Sequence, residues 1–154
     1  MSPIRPLYSD QITRFIMSDG PASRTFLGVY PKEKLPPLHT FPSSFVGNTH
    51  HSSRPGEHWV AFYFDKHGHG EYFDSFGLPP VYEEWENHLE NYSHDKEWFY
   101  MSKTVQDLTS DACGYYAISY IMLRSRGKRP QDILNLFSHN LKSNDDLVLR
   151  YVNQ

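Results

Sequence analysis

The sequence contains a single cysteine, Cys113, so no disulfide can form within the chain. A chain without disulfides suits a reducing intracellular compartment. No stretch approaches the ~20 consecutive apolar residues of a membrane span. The first residues also lack the apolar core of a signal peptide. We therefore expect a soluble intracellular protein with no membrane partner.

The sequence also lacks an excess of charge of either sign, internal repeats and low-complexity linkers. A formal net charge of −3 gives no global electrostatic reason to bind nucleic acid. The 154 residues have the length of one ordinary domain, and we predict a single domain spanning residues 1–154. Aromatic residues make up 16% of the chain, so large rings are expected to fill much of the core.

Two strand-like runs, residues 58–64 and 71–76, flank a short loop that contains glycine. This pattern predicts an antiparallel hairpin. Residues 112–123 are apolar almost all round, which favours a buried helix with Cys113 at its start. The remaining pattern predicts further helices near residues 9–20, 81–92, 130–141 and 145–152, and short strands near 26–30, 45–46 and 99–105. Together they predict an α+β fold in which helices flank a mostly antiparallel central sheet.

The position of Cys113 favours a catalytic nucleophile. A thiolate at a helix N-terminus is stabilised by unpaired backbone N–H groups and by the positive end of the helix dipole. The neighbouring Gly114 leaves room for a substrate carbonyl, and the Cys113 N–H can donate to a developing oxyanion. The alternative is a buried cysteine that packs as a small hydrophobic residue, which is the commoner fate of a lone cysteine.

Three polar residues could complete a site around Cys113. His58 heads the first strand of the hairpin and Asp74 lies near the end of the second, so antiparallel pairing can bring them together. The carboxylate could then hold the imidazole tautomer that removes the thiol proton. Gln106, in the loop before Cys113, could donate to the oxyanion. Taken singly, each of these residues is more often an ordinary surface group than a catalytic one.

Taken together, the motifs resemble those of the adenovirus-type cysteine endopeptidases, the adenain-like family. His58 is followed by Trp, residues 73–77 read Phe-Asp-Ser-Phe-Gly, and Gln106 precedes Cys113 by the spacing typical of that family. The family belongs to one clan with the ubiquitin-like-protein proteases and has a papain-related fold. The resemblance covers about residues 8 to 125. It implies a thiol protease with a triad of Cys113, His58 and Asp74, with Gln106 as oxyanion donor and no cofactor.

The resemblance also implies partners. We expect polypeptide substrates with small residues such as glycine near the cut, and maturation of viral or virus-like-element structural proteins. This implies a location in the host nucleus, the host cytoplasm or the virion. Asp74 stands where adenovirus enzymes carry Glu, and the single cysteine excludes their disulfide-tethered activating peptide. We therefore expect an enzyme that is active alone, with a non-covalently bound activating peptide as the alternative, and we expect no DNA requirement.

Two other functions remain open from the residues. A deconjugating enzyme for ubiquitin or SUMO would use the same triad, whereas a non-catalytic binding module would have no need to keep all four residues. A metal site is a weaker hypothesis, because the histidines at 50, 51, 67 and 69 have no cysteine partners and no helical zinc-binding pattern. The basic residues between 124 and 129 are expected to complement the negative end of the Cys113 helix.

Overall fold

The computed structural model describes residues 4–49 and 58–154. Its centre is a five-stranded sheet whose strands lie in sequence order from β1 to β5. The strands are β1 (Phe26–Tyr30), β2 (Ser43–Asn48), β3 (Trp59–Phe64), β4 (Gly70–Phe73) and β5 (Trp98–Tyr100). Helices flank this sheet, so the predicted α+β fold class is confirmed.

The three middle strands pair antiparallel, and β3 and β4 form the predicted hairpin. The two edge strands differ from the predicted mostly antiparallel sheet. Strand β1 pairs in parallel with β2, and β5 pairs in parallel with β4. A parallel pair requires a crossover connection, and the long segments 31–42 and 74–97 provide one at each edge.

The helices in chain order are α1 (Ser9–Met17), α2 (Gly20–Ser23), α3 (Glu83–Tyr92), α4 (Cys113–Ser125), α5 (Pro130–Leu134) and α6 (Leu141–Val152). A 3₁₀ turn, His94–Lys96, lies between α3 and β5. The predicted helix that begins near Cys113 is confirmed as α4. Its residues between Cys113 and Met122 are almost all buried, as their apolar character indicated.

Several predicted boundaries are wrong. The two residues Gly20 and Pro21 do not simply end α1. They begin α2, because Asp19 caps the backbone N–H of Ala22 and proline is well tolerated in a first turn. Strand β5 ends at Tyr100 instead of continuing towards residue 105.

The C-terminal helices also begin and end elsewhere than predicted. Helix α5 stops at Leu134, and α6 starts at Leu141 because the Asn140 side chain caps the Ser143 N–H. The gap predicted between the helices near 130–141 and 145–152 therefore lies inside α6.

The sheet separates two apolar cores, and β3 contributes to both. Its six residues are all buried. Trp59, Ala61 and Tyr63 belong to the core that contains α4, while Val60, Phe62 and Phe64 belong to the core that contains α3. Both faces of β3 are therefore packed. His58 directly precedes this buried strand, so its backbone position is fixed by the sheet.

A buried ion pair joins α4 to the sheet. Arg124 donates to both carboxylate oxygens of Glu71, at 2.8 and 2.7 Å, and Tyr120 donates to the same carboxylate at 2.6 Å. Arg124 also donates to the Lys128 carbonyl at the end of α4. The main partner of Arg124 is therefore a carboxylate of β4, and the predicted role at the helix C-terminus is secondary.

Within the described residues, no helix is both long enough and apolar enough to cross a membrane.

Candidate active site

The His58 side chain is positioned by two neighbouring segments. The backbone carbonyl of His58 accepts hydrogen bonds from the backbone N–H and the hydroxyl of Thr49, at 2.9 and 3.2 Å. Its imidazole Nε2 lies 2.8 Å from Oδ1 of Asp74. The other ring nitrogen, Nδ1, is thereby left on the side away from the carboxylate.

Asp74 directly follows β4 and is 3% exposed. Its Oδ1 also accepts the backbone N–H of Phe76 at 2.8 Å. The Phe76 ring stacks on the His58 ring with centroids 4.8 Å apart and planes 13° from parallel. Gly77 ends this turn at φ +75°, where a Cβ would lie only 2.7 Å from the Lys103 carbonyl carbon. The turn 74–77 thus requires glycine and fixes both the carboxylate and the ring.

The electrostatics of the site favour a protonated imidazole. Burial lowers the pKa of His58, but hydrogen bonds to Asp74 and Cys113 and the negative charges of those groups outweigh burial. Together they raise the pKa of His58 from 6.5 to about 9. The ring therefore carries its proton at neutral pH.

Cys113 is the first residue of α4 and is 6% exposed. Its side chain is hydrogen-bonded to the His58 imidazole. Gly114 behind it is needed for packing: a Cβ there would lie 3.1 Å from Leu7 and 3.3 Å from Trp59. The predicted space for a substrate carbonyl at Gly114 is therefore filled by protein.

Gln106 is fully buried in the segment between β5 and α4. Its Oε1 accepts a hydrogen bond from the Ser75 hydroxyl. Its Nε2 donates to the carbonyl and the hydroxyl of Ser110, at 3.0 and 3.2 Å. The amide donor thus lies against the loop that leads directly to Cys113.

Side chains of α6 and α4 hydrogen-bond to Val105, the residue before Gln106. The Asn144 amide donates to the Val105 carbonyl at 3.0 Å. The Tyr116 hydroxyl lies 2.7 Å from Oδ1 of Asp145 and 3.0 Å from the same Val105 carbonyl. The residue before Gln106 is therefore held by both α4 and α6.

The structure brings His58, Asp74 and Cys113 into one hydrogen-bonded group and places Gln106 in the loop beside it. Sequence reasoning missed the contributions of Thr49 and Phe76. Phe76 lies in the motif at residues 73–77, but a sequence motif does not indicate which ring or backbone group contacts His58.

Within residues 4–49 and 58–154, the histidines other than His58 form no comparable site. His50 and His51 lie outside the described residues. His69 lies 3.6 Å from Asp65 and 3.5 Å from Glu97, and the His67 ring lies 6.2 Å from it. Among the residues that the structure describes, no cluster of three or more His, Cys, Asp or Glu side chains could hold a metal ion.

Comparison with solved structures identifies the fold. The SUMO protease Ulp1, solved with its catalytic cysteine oxidised to a sulfonic acid, matches with a TM-score of 0.60 and 13% identity. The match covers 98% of this chain and 77% of that protease. ChlaDub1 from Chlamydia trachomatis matches with a TM-score of 0.52 and 11% identity over 98% of this chain and 77% of its own. The chain therefore has the fold of the Ulp1-like cysteine proteases.

The ASFV pS273R protease shares 28% identity over 56% of this chain, with a TM-score of 0.43. The chain spans 36% of that protease. Neither a protein-family model nor a curated protein sequence matches the chain.

Proposed function

We propose that the chain is a cysteine peptidase in which Cys113 is the nucleophile, His58 its acid–base partner and Asp74 the residue that orients His58. The observation that carries this proposal is the His58 ring, which is hydrogen-bonded to a buried carboxylate on one side and to the only thiol on the other. An imidazolium beside a cysteine stabilises the thiolate, which is the reactive form.

The chemistry follows from this arrangement. The thiolate attacks the peptide carbonyl carbon, and the carbonyl oxygen becomes an oxyanion that the Cys113 N–H and the Gln106 amide stabilise. His58 then gives its proton to the leaving amine, and the C–N bond breaks to leave a thioester. Water, deprotonated by His58, releases the acid and restores the thiolate.

Within this class we propose an endopeptidase of the adenovirus type. The segment Phe-Asp-Ser-Phe-Gly at residues 73–77 and the position of Gln106 support this assignment. Its substrates would be structural precursors of a virus or virus-like element, cut near small residues such as glycine, in a host cell or a virion. An activating peptide would bind non-covalently, because Cys113 is the only thiol. The net charge of −3 supports activity without DNA.

The second candidate is removal of a SUMO-like protein from its conjugates. The similarity to the SUMO protease Ulp1 over 98% of this chain favours it. The triad chemistry is the same in both candidates, so they differ only in the substrate that the surface accepts.

The test is to assay the purified chain on a peptide library beside an electrophilic SUMO probe. We expect cleavage of peptides with small residues near the cut and no turnover by Cys113→Ala, which removes the attacking sulfur and little volume. Iodoacetamide should alkylate Cys113 faster than a model thiol at mildly acidic pH, and His58→Ala should slow it. The exposed His139 supplies a matched control, since His139→Ala should retain full activity.

Two results would contradict these proposals. Turnover by Cys113→Ala equal to that of the wild type would exclude a cysteine peptidase. Reaction with the SUMO probe without cleavage of any library peptide would favour deconjugation over the endopeptidase.

A further inference from the structure

Ser75 makes two hydrogen bonds with Gln106 and a third with the neighbouring Val105. It lies between Asp74 and Phe76 and is 1% exposed. Its carbonyl accepts the backbone N–H groups of Val105 and Gln106, at 2.9 and 3.2 Å. Its hydroxyl donates to Oε1 of the Gln106 side chain. One residue of the turn after β4 thus fixes both the backbone and the amide of Gln106.

The contacts on both sides of the Gln106 amide determine which way it faces. The Ser110 carbonyl can only accept a hydrogen bond, so the group 3.0 Å from it must be the NH₂ end. The oxygen end then faces Ser75, whose hydroxyl rotates to donate to it. A reversed amide would place two carbonyl oxygens against each other at Ser110. The network therefore admits one orientation of the buried side chain.

That orientation matters for an oxyanion donor. A side-chain amide stabilises a developing negative charge with its NH₂ group and destabilises it with its oxygen. Removal of the Ser75 hydroxyl leaves a buried Oε1 without its donor, and the amide gains freedom to rotate. Ser75 also adjoins Asp74, so the turn that carries the orienting carboxylate holds the oxyanion donor as well.

We propose that Ser75 is a positioning residue that keeps the NH₂ end of the Gln106 amide, and not its oxygen, directed at the loop that leads to Cys113, where the oxyanion forms. This proposal rests on the proposed peptidase function and on the role of Gln106 in it. Ser75 does not touch the substrate and acts only through Gln106.

The test is a double-mutant cycle on peptide turnover with Ser75→Ala, Gln106→Ala and both together. Loss of one oxyanion donor typically costs roughly 10²–10³-fold in kcat, so we expect that loss for Gln106→Ala. Ser75→Ala should lower kcat by roughly 10-fold to 100-fold, because the donor is then misplaced in most of the molecules and correctly placed in the few that remain. KM should change little in both variants. In the Gln106→Ala background, the Ser75 substitution should have almost no further effect.

Alkylation distinguishes this role from a general structural one. Iodoacetamide reacts by displacement at carbon and forms no oxyanion, so Ser75→Ala should alkylate at Cys113 at the wild-type rate. A slower alkylation rate would show that Ser75 acts through Asp74 and His58 instead of Gln106, and it would overturn the proposal. Ser119→Ala is the matched control, because its buried hydroxyl has no hydrogen-bond partner within residues 4–49 and 58–154. We expect wild-type kcat from that control.

Other outcomes also overturn the proposal. Full activity of Ser75→Ala would show that Ser75 has no role in catalysis. An undiminished effect of the Ser75 substitution in the Gln106→Ala background would show that Ser75 does not act through Gln106. Neither result would contradict the proposed peptidase function. Absence of wild-type turnover on both the peptides and the SUMO probe would instead overturn the proposed function, and this inference with it. If Ser75→Ala does not fold, Ser75→Cys keeps a weaker donor and should give an intermediate kcat.

Discussion

At the scale of single residues, one carboxylate oxygen of Asp74 accepts two hydrogen bonds. One comes from the His58 ring and the other from the Phe76 backbone, both at 2.8 Å. An amide oxygen in the same place could accept both, so Asp74→Asn would remove the charge and leave the geometry. The substitution therefore isolates the electrostatic effect of the carboxylate on the imidazole.

We expect Asp74→Asn to shift the alkaline limb of kcat/KM to lower pH. Activity requires the imidazolium, and it falls as His58 loses its proton near its pKa of about 9. The Asp74 carboxylate raises that pKa, so its neutralisation lowers the pKa and moves the limb downward. A pH–rate profile measures the shift, and the overall loss should be smaller than for His58→Ala.

The same change has a consequence for stability. Because the folded-state pKa of His58 is raised, its stabilising contribution is complete below pH 6.5 and is lost as the pH rises through about 9. Urea unfolding of Asp74→Asn should show a weaker fall of stability across this window than the wild type. An unchanged alkaline limb and an unchanged stability profile would together show that Asp74 does not set the His58 pKa.

The sequence indicated that His58, Asp74 and Cys113 would lie together, but it did not indicate the further contacts that hold them. The order and spacing of His58, Asp74, Gln106 and Cys113 pointed to one constellation. The stacking of Phe76 on His58 could not be predicted, because it depends on a turn that closes only where Gly77 passes the Lys103 backbone. The packing of Gly114 against Leu7 likewise joins segments far apart in the chain.

At the scale of elements, α4 is anchored to β4 by the buried pair of Arg124 and Glu71. The Glu71 side chain is 1% exposed and that of Arg124 is 11% exposed. The guanidinium also lies over the Tyr63 ring, 4.7 Å from its centroid. This contact sets the position of the helix that carries Cys113 relative to the strand that precedes Asp74.

We expect Arg124→Met to lower the free energy of unfolding by ~3–5 kcal/mol, because it leaves an uncompensated carboxylate in the interior. Adding Glu71→Gln should restore part of this loss, since the amide can still accept from Tyr120. Urea unfolding measures all three proteins. Arg129→Met is the matched control, because its pair with Asp132 is exposed and should leave stability nearly unchanged. A double variant no more stable than Arg124→Met would contradict a charge-burial mechanism.

Element type was predictable where local pattern and burial agreed, as in β3, β4 and α4. The pattern failed where side-chain caps decided the boundary. The Asp19 side chain caps α2, so the Gly-Pro pair at residues 20–21 begins a helix. The Asn140 side chain caps α6, so this helix begins at Leu141, before the residue at which it was predicted to begin. The parallel edges of the sheet were also beyond prediction, because strand direction depends on crossover segments that carry no periodic signal.

At the scale of the whole molecule, the site depends on elements from most of the described chain. Leu7 lies against Gly114 and accepts a hydrogen bond from the Trp59 ring at 2.9 Å. At the other end of the sequence, Asn144 holds the Val105 carbonyl. Val105 and Gly114, which flank the loop from Gln106 to Cys113, are therefore held by residues that have no part in the chemistry.

We expect Asn144→Ala to lower both stability and kcat. The Ser138 N–H and carbonyl lose the Asn144 side chain, and the Val105 carbonyl keeps only the Tyr116 hydroxyl. A buried polar group that loses its partner costs ~1–3 kcal/mol. Because Val105 precedes Gln106, kcat should fall while KM changes little. Asn153→Ala, at the exposed end of α6, should leave both unchanged. Wild-type kcat in a destabilised Asn144→Ala would mean that α6 supports the fold without supporting the site.

The support that α6 gives this loop has a consequence for the timing of synthesis. The ribosome makes His58, Asp74, Gln106 and Cys113 before it makes any residue of Leu141–Val152. A growing polypeptide thus contains its nucleophile while the loop beside it still lacks the Asn144 contact. Under the proposed function, we therefore expect full activity only after α6 has been translated and has folded against Val105.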